Sequence, residues 1–514
     1  MLRAPWILPL ALFACSCGQD GPDGPYVIVT VNARPAVHDI DLLRVTLSNA
    51  GSTKTEDLPA ASAAFPATFS ISPGDRTGDL GISIEALDKD GAVAGLGQAQ
   101  STIEAPAASV MLEPIDFVVN TEYPEDQQLS NYTSASGLQL AAMPSGTWIA
   151  AYNADCPTNA CNVFGRRFDA TARAVSSVLG AGTQGFRFST KLTSFSYGSP
   201  AVAANATAAL AVWTYSDPAL TTDSIECRAL DTSGAAPGAQ VQIATDELPL
   251  IVAATAVPGG NFAIVWDGRV TNKLIRAAVL RPDCTVVGAV ATVSPNVAGV
   301  TPGRAHVAAN ATTILYAWEI DGSVRGRVAN LSNMFSGLDV PLVTKPAMNE
   351  TVEYVRVAPL ANGFAVVVRW GITGGTGRID LYRVSNTGTV MGAPVPVSSR
   401  NGMNYESYSP FGVATGSDGS LLVVWHAGGA AGDGNGVGVL GRLFRSTGEP
   451  AGEEFVIPTT IANDQTMPSA VGLPGGAFVV AWNDKSAAAP DISGTAVRAR
   501  IIYPSATGAS ALAP

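Results

Sequence analysis

Pro468-Ser-Ala-Val-Gly-Leu-Pro-Gly-Gly-Ala-Phe-Val-Val-Ala-Trp482 is the stretch on which the fold turns. It reads as a strand, a Gly-Gly turn and a second strand ending in tryptophan. The pattern recurs as VAATAVPGGNFAIVW ending at Trp266 and as FGVATGSDGSLLVVW ending at Trp425. Shorter copies, VAANATAALAVW and VAANATTILYAW, end at Trp213 and Trp318. LQLAAMPSGTWIAAY places Tyr152 in the aromatic slot with Trp148 four residues earlier, and VAPLANGFAVVVRW places Val368 there with Trp370 two residues later. Offsets of two and four keep side-chain parity in a strand, so all seven indoles are expected on one sheet face. Apart from Trp6, the tryptophans fall one per copy, at intervals of 65, 53, 52, 52, 55 and 57 residues. They read as core aromatics packing one sheet on the next, not as ligand contacts.

Each copy continues with a third and a fourth strand. In the sixth these are Gly438–Phe444 and, after the turn STGEPAG, Glu454–Ile457. Four antiparallel strands every ~50 residues, repeated radially, make a β-propeller. Strands apolar on both sides, such as Phe262-Ala-Ile-Val-Trp266, suit blades that bury both faces against neighbours. The last copy lacks a fourth strand, whereas Phe117 to Gln127 before the first copy reads like Phe455 to Gln465. The strand near 116–120 is therefore expected to complete the seventh blade and close the ring as a velcro strand. Residues 26–115 carry period-two runs at Tyr26–Asn32, Leu42–Leu47, Ala67–Ser72 and Gly81–Ala86, with further strands at Ala94–Glu104 and Val110–Pro114. About seven short strands there suggest an immunoglobulin-like sandwich. The expected fold class is all-β: an N-terminal immunoglobulin-like β-sandwich (26–115), a seven-bladed β-propeller with velcro closure (116–503) and a tail (504–514).

The unit P-x-V-A-x-L-x-x-G-x-F-x-V-x-W followed by R-x-F/L-x-x-x-G resembles the propeller repeats of secreted and surface proteins of Gram-negative bacteria. The resemblance spans residues 116–503 and implies architecture; it brings no catalytic residues with it.

Residues 1–17 read as a lipoprotein signal peptide, with Arg3 as the n-region and Trp6–Ala14 as a short apolar h-region. Leu12-Phe13-Ala14-Cys15 resembles a lipobox, so lipidation is expected at Cys15, or alternatively at Cys17. Residues 18–25 then form a linker, and the acyl chains anchor an exported protein in the outer membrane of a Gram-negative bacterium. In that compartment Cys156, Cys161, Cys227 and Cys284 read as disulfides, the first two closing a small loop and the other two joining neighbouring blades. A net charge of −12 lacks the basic footprint of a nucleic-acid binder.

Chemistry is harder to place. His38, His306 and His426 are the only histidines, far apart and outside any paired metal spacing. Ser417–Trp425 lacks the spacing and Thr-Trp of the Asp boxes that mark sialidase propellers. No cofactor is expected. Calcium has weak candidates at Asp433 and Asn435, and at Asp88 and Asp90, where oxygen ligands stand two apart in glycine turns. The face carrying the loops after each tryptophan and between blades is the expected site, with Arg187, Tyr197, Tyr215, Asp267, Arg269, Arg400 and Tyr405 as candidate ligand contacts. The leading expectation is a non-catalytic, monomeric surface lipoprotein that binds protein or glycan or acts as a scaffold. The alternative is a carbohydrate-active propeller enzyme with carboxylates at the central channel.

Overall fold

The computed structural model describes residues 26–514 except 61–63, 73–76, 104–106, 122–138, 155–159, 176–184, 191–192, 195–199, 218–221, 232–237, 246–251, 269–273, 296–299, 373–376, 399–410, 430–431, 493, 506–507 and 510–514. It falls into two compact units. The smaller comprises the chain up to residue 33 with 39–92 and 97–112, and the larger comprises 34–38, 93–96 and 113–514.

The N-terminal strands are β1 (Val27–Ala33), β2 (Leu42–Asn49), β3 (Ser52–Pro59), β4 (Ala67–Ile71), β5 (Asp79–Leu87), β6 (Val93–Thr102) and β7 (Ala107–Pro114). There are seven, but they do not form two separate sheets. One hydrogen-bonded path runs β3-β2-β5-β6-β7-β1-β4. The two separate sheets expected of an immunoglobulin-like sandwich are not seen, because β7 serves both halves of the path. It pairs with β1 in parallel from Ala107 to Leu112 and with β6 antiparallel at Glu113 and Pro114. Val27, Val29 and Val31 alternate into the core of this sheet, fully buried, with Val45, Ile82, Ile84 and Val110. Strand β3 escaped the sequence reading because both its faces are exposed and its sequence does not alternate.

The propeller has seven blades, each a sheet whose strands are hydrogen-bonded in chain order. The first strand of each blade packs on the first strand of the next, and that of blade seven (Gln465–Gly472) on that of blade one (Leu140–Ala142). First strands therefore form the inner wall. The fourth strand of blade seven is β8 (Phe117–Val118), which lies antiparallel to Ala496–Ile502 with Val118 opposite Arg498.

Seven apolar clusters fill the gaps between blades, and each contains one tryptophan packed on the preceding blade. All seven indoles lie on the same sheet face, as parity requires, and none is more than 1% exposed. The indole N–H groups of Trp213, Trp266, Trp318, Trp425 and Trp482 have no hydrogen-bond partner among the described residues. These rings contribute apolar area and shape.

The arginine of the R-x-F/L motif has a role that the sequence did not reveal. Arg166, Arg228, Arg442 and Arg500 hold one register position on the third strand, opposite the residue two before the aromatic slot. Each reaches the preceding blade and donates to the carbonyl just past its fourth strand: Val119 at 2.7 Å, Phe188 at 3.0 Å, Val397 at 3.2 Å and Ile457 at 2.7 Å. A charged donor to a buried carbonyl contributes about 1.5–3 kcal/mol, so these bonds add a polar seam to the apolar one.

Two covalent or ionic ties add to the seams. Cys227 on the third strand of blade two is bonded to Cys284 in the turn after the third strand of blade three, with Cα atoms 5.9 Å apart. The fully buried Asp116 carboxylate, just before β8, accepts from Thr459 N (2.7 Å), Thr460 N (2.8 Å), both threonine hydroxyls (2.9 Å) and Arg498 Nη1 (3.0 Å). Arg498 also binds Asp484 at 3.0 Å.

Replacing Asp116 by Asn should lower unfolding free energy by about 3 kcal/mol, because it unbalances a buried ion network. The midpoint of urea denaturation measures this. Exchanging both Cys227 and Cys284 for alanine should cost up to about 4 kcal/mol from released loop entropy, with native spectra retained at low temperature.

Candidate functional site

Comparing the repeats with one another points to the site. The aromatic slot is nearly uniform, but the next residue varies from blade to blade, with only asparagine used twice, and is always polar. In blade order it is Asn153, Thr214, Asp267, Glu319, Arg369, His426 and Asn483. Each stands at the end of a second strand and, being one residue on, faces away from its own blade's indole. Apart from the half-buried Glu319, all are at most 6% exposed. A polar group is costly to bury, so a polar side chain here in all seven repeats calls for a reason beyond packing. The signal is legible in the sequence, one position past each aromatic slot.

The positions concentrate charge in blades three to five. Glu319 lies opposite Gly303, the first residue of blade four's inner strand. Asp267 Oδ2, from blade three, is 4.0 Å from where a Cβ on Gly303 would stand. One glycine thus has the Asp267 carboxylate of blade three beside it and Glu319 as its register partner within blade four. Burial pushes the Glu319 carboxyl above the usual range, opposed by the Gly322 N–H, which donates to it at 2.9 Å, and by Arg304. Arg304 sits in a β-bulge between Gly303 and His306 with a left-handed φ of 53°. Bulges re-aim side chains, and a non-glycine residue at positive φ is strained. The Arg304 guanidinium lies 5.6 Å from the centre of the Tyr354 ring and donates to the Val352 carbonyl at 3.0 Å.

Each of the first three strands of blade five carries arginine. Arg369 pairs with Glu353 at 3.1 Å, and Glu353 folds over Gly371, where any Cβ would collide with it. Burial lowers Arg356 to about 10, and its guanidinium lies between the Tyr354 and Phe411 rings at 5.8 and 6.0 Å. Arg378 on the third strand of blade five is held by Glu350 and, at 2.8 Å, by Asp380.

Both propeller-strand histidines are structural acceptors. His306 Nδ1 accepts from Val357 N at 3.3 Å, and His426 Nδ1 accepts from Met467 N at 3.2 Å. Each thereby satisfies a backbone N–H on the inner strand of another blade. Burial, then the nearby Arg356, holds His306 well below its ordinary value, while burial and Arg369 lower His426 to about 3.

The other sequence candidates scatter. Arg187 is on the outermost strand of blade one, donating to the carbonyls of Ser189 and Thr190, away from the inner wall. Tyr215 is half-buried on the second strand of blade two. Tyr197, Arg269, Arg400, Tyr405, Cys15, Cys17 and Cys156 lie outside the described residues, as does the side chain of Cys161. Asp433 accepts from Asn435 N at 2.9 Å and Asp88 from Asp90 N at 2.9 Å, which makes both weak calcium candidates Asx turns. Among the described residues no three metal-binding side chains come together. A separate cavity of about 270 Å³ in the N-terminal unit is lined by Val45, Leu47, Phe69, Ile71 and Leu80, with Lys54 and Glu56.

No protein-family model matches the chain, and no curated protein does. Similar solved structures include a Hadza microbial sialidase, 10% identical with a TM-score of 0.41 over 94% of this chain and 91% of that one. A Dyadobacter fermentans protein of unknown function is 10% identical, with a TM-score of 0.41 over 76% of this chain and 98% of its own. A Penicillium chrysogenum alpha-L-arabinanase is 15% identical, with a TM-score of 0.39 over 65% and 99%.

The two neutral histidines make stability depend on pH. Below the ordinary histidine value of 6.5 the unfolded chain takes up protons that the folded chain refuses, so stability falls as pH drops toward about 3, where folded His426 titrates. Each histidine contributes a slope of about 1.4 kcal/mol per pH unit. His426→Asn, which keeps an acceptor near Nδ1, should flatten the profile by that amount in urea titrations between pH 4 and 6.

Proposed function

We propose that the propeller is a carbohydrate-active module working at the end of the ring where inner strands begin and second strands end. The observation that carries this reading is that the Asp267 carboxylate of blade three lies beside Gly303, the register partner of Glu319 on blade four. Burial pushes the Glu319 carboxyl above its ordinary value. Cleavage of a glycosidic bond needs one protonated carboxyl to donate to the leaving oxygen and a second, ionised one to act as base or nucleophile. Glu319 suits the first role and Asp267 the second. Arg304, on the bulge next to Gly303, suits the binding of oxygen-rich substituents.

In the same reading the chain is exported and lipid-anchored at Cys15 or Cys17, β8 is the velcro strand that keeps the ring closed, and the substrate is met at the cell surface. The non-catalytic binding module is the competing reading.

Glu319→Gln and Asp267→Asn separate the two readings. The purified protein should release reducing ends from at least one member of a panel of polysaccharides and aryl glycosides. Each variant should fold and lose about 100-fold or more in kcat. Saccharide binding without turnover, equal in wild type and variants, would instead favour the binding module.

A further inference from the structure

Strand β3 forms one end of the N-terminal sheet, and among the described residues no strand pairs with its outer edge. Its inner edge is fully used, paired with β2 from Ser52–Asn49 to Pro59–Leu42. Ser52 to Asp57 are exposed on both faces, so this edge presents backbone donors and acceptors to water over most of its length. The charges along it have a particular order. Lys54 and Glu56 share one face and pair with each other along the strand, both about 60% exposed. Asp57, on the other face, is held by Arg44 at 3.0 and 3.2 Å.

Strand edges are commonly guarded by like charges or proline, which repel a second edge. Proline is confined here to the last position, and the Lys-Thr-Glu core is neutral and self-complementary. When two copies of the strand run antiparallel about Thr55, Lys54 of each faces Glu56 of the other. Thr53 then faces Asp57, and Thr55 faces itself. Opposite charges directly across a strand pair stabilise it, and the arrangement has the two-fold symmetry of an isologous contact.

We propose that β3 is a homotypic docking edge, through which two copies of this chain join their N-terminal sheets into one continuous sheet with Lys54–Glu56 pairs across the junction. Backbone hydrogen bonds supply the adhesion and the charge order sets the register. The strand is eight residues long with little apolar surface, so the contact is small, weak and weakened by salt. It is independent of the chemistry proposed for the propeller.

Charge reversal tests it, with sedimentation velocity on the full chain from about 1 µM to about 1 mM, the range suited to small interfaces. Wild type should show a concentration-dependent dimer. Lys54→Glu and Glu56→Lys, each of which sets like charges against each other twice, should weaken it about tenfold or more. The double variant K54E/E56K should restore it, and an equimolar mixture of the two single variants should form mixed dimers. Circular dichroism checks that the exposed substitutions leave the fold intact. A wild type that remains monomeric throughout overturns the proposal. So do single variants that dimerise as wild type does, because the contact then lies elsewhere.

Discussion

No blade of this propeller can bury its own faces. Phe262–Asp267 is buried at every position, and so is Phe478–Asp484; a lone four-stranded sheet would leave the side chains of both faces in water. Stacking on one neighbour covers one face and leaves another exposed. A closed ring covers all of them, and seven tryptophans, one in each seam, supply much of the area involved. The rest of the structure follows from that constraint.

Apolar seams are tolerant of sliding, and a ring needs its blades in register. Directional bonds supply this. Arg166, Arg228, Arg442 and Arg500 each reach a carbonyl of the preceding blade, and the disulfide ties blade two to blade three. The weakest backbone pairing in blade seven is with β8, two residues long. There the polar contacts are densest, with Asp116 accepting five hydrogen bonds and sharing Arg498 with Asp484. Buried charge is stable here because each group is matched, and geometry that matches so many partners admits one arrangement.

The same repetition separates scaffold from site. A residue that only packs has the same task in each blade and stays the same, as the slot tryptophans do. A residue that meets something at the ring's end has no such constraint. The next position accordingly runs through Asn, Thr, Asp, Glu, Arg, His and Asn. Its charged members fall in consecutive blades, and glycines make room for charge: Gly303 on blade four's inner strand beside Asp267, and Gly371 on blade five's second strand beneath Glu353, the partner of Arg369.

By itself the sequence determined the blade count, the shared face of the indoles, the inter-blade pairing of Cys227 with Cys284 and the class of fold. These depend on period-two alternation and on a rare residue recurring at near-constant intervals, both local properties of the chain. Only the tertiary structure decided three further points. It joined the N-terminal strands into one sheet, since a strand such as β7 can change partners midway without any mark in its alternation. It turned His306 and His426 into backbone acceptors, a role set by where another blade's unpaired N–H falls. It brought Asp267 and Glu319, 52 residues apart in the chain, to the same glycine, because closing a ring makes neighbours of equivalent positions in successive repeats, and no spacing along the chain encodes that meeting.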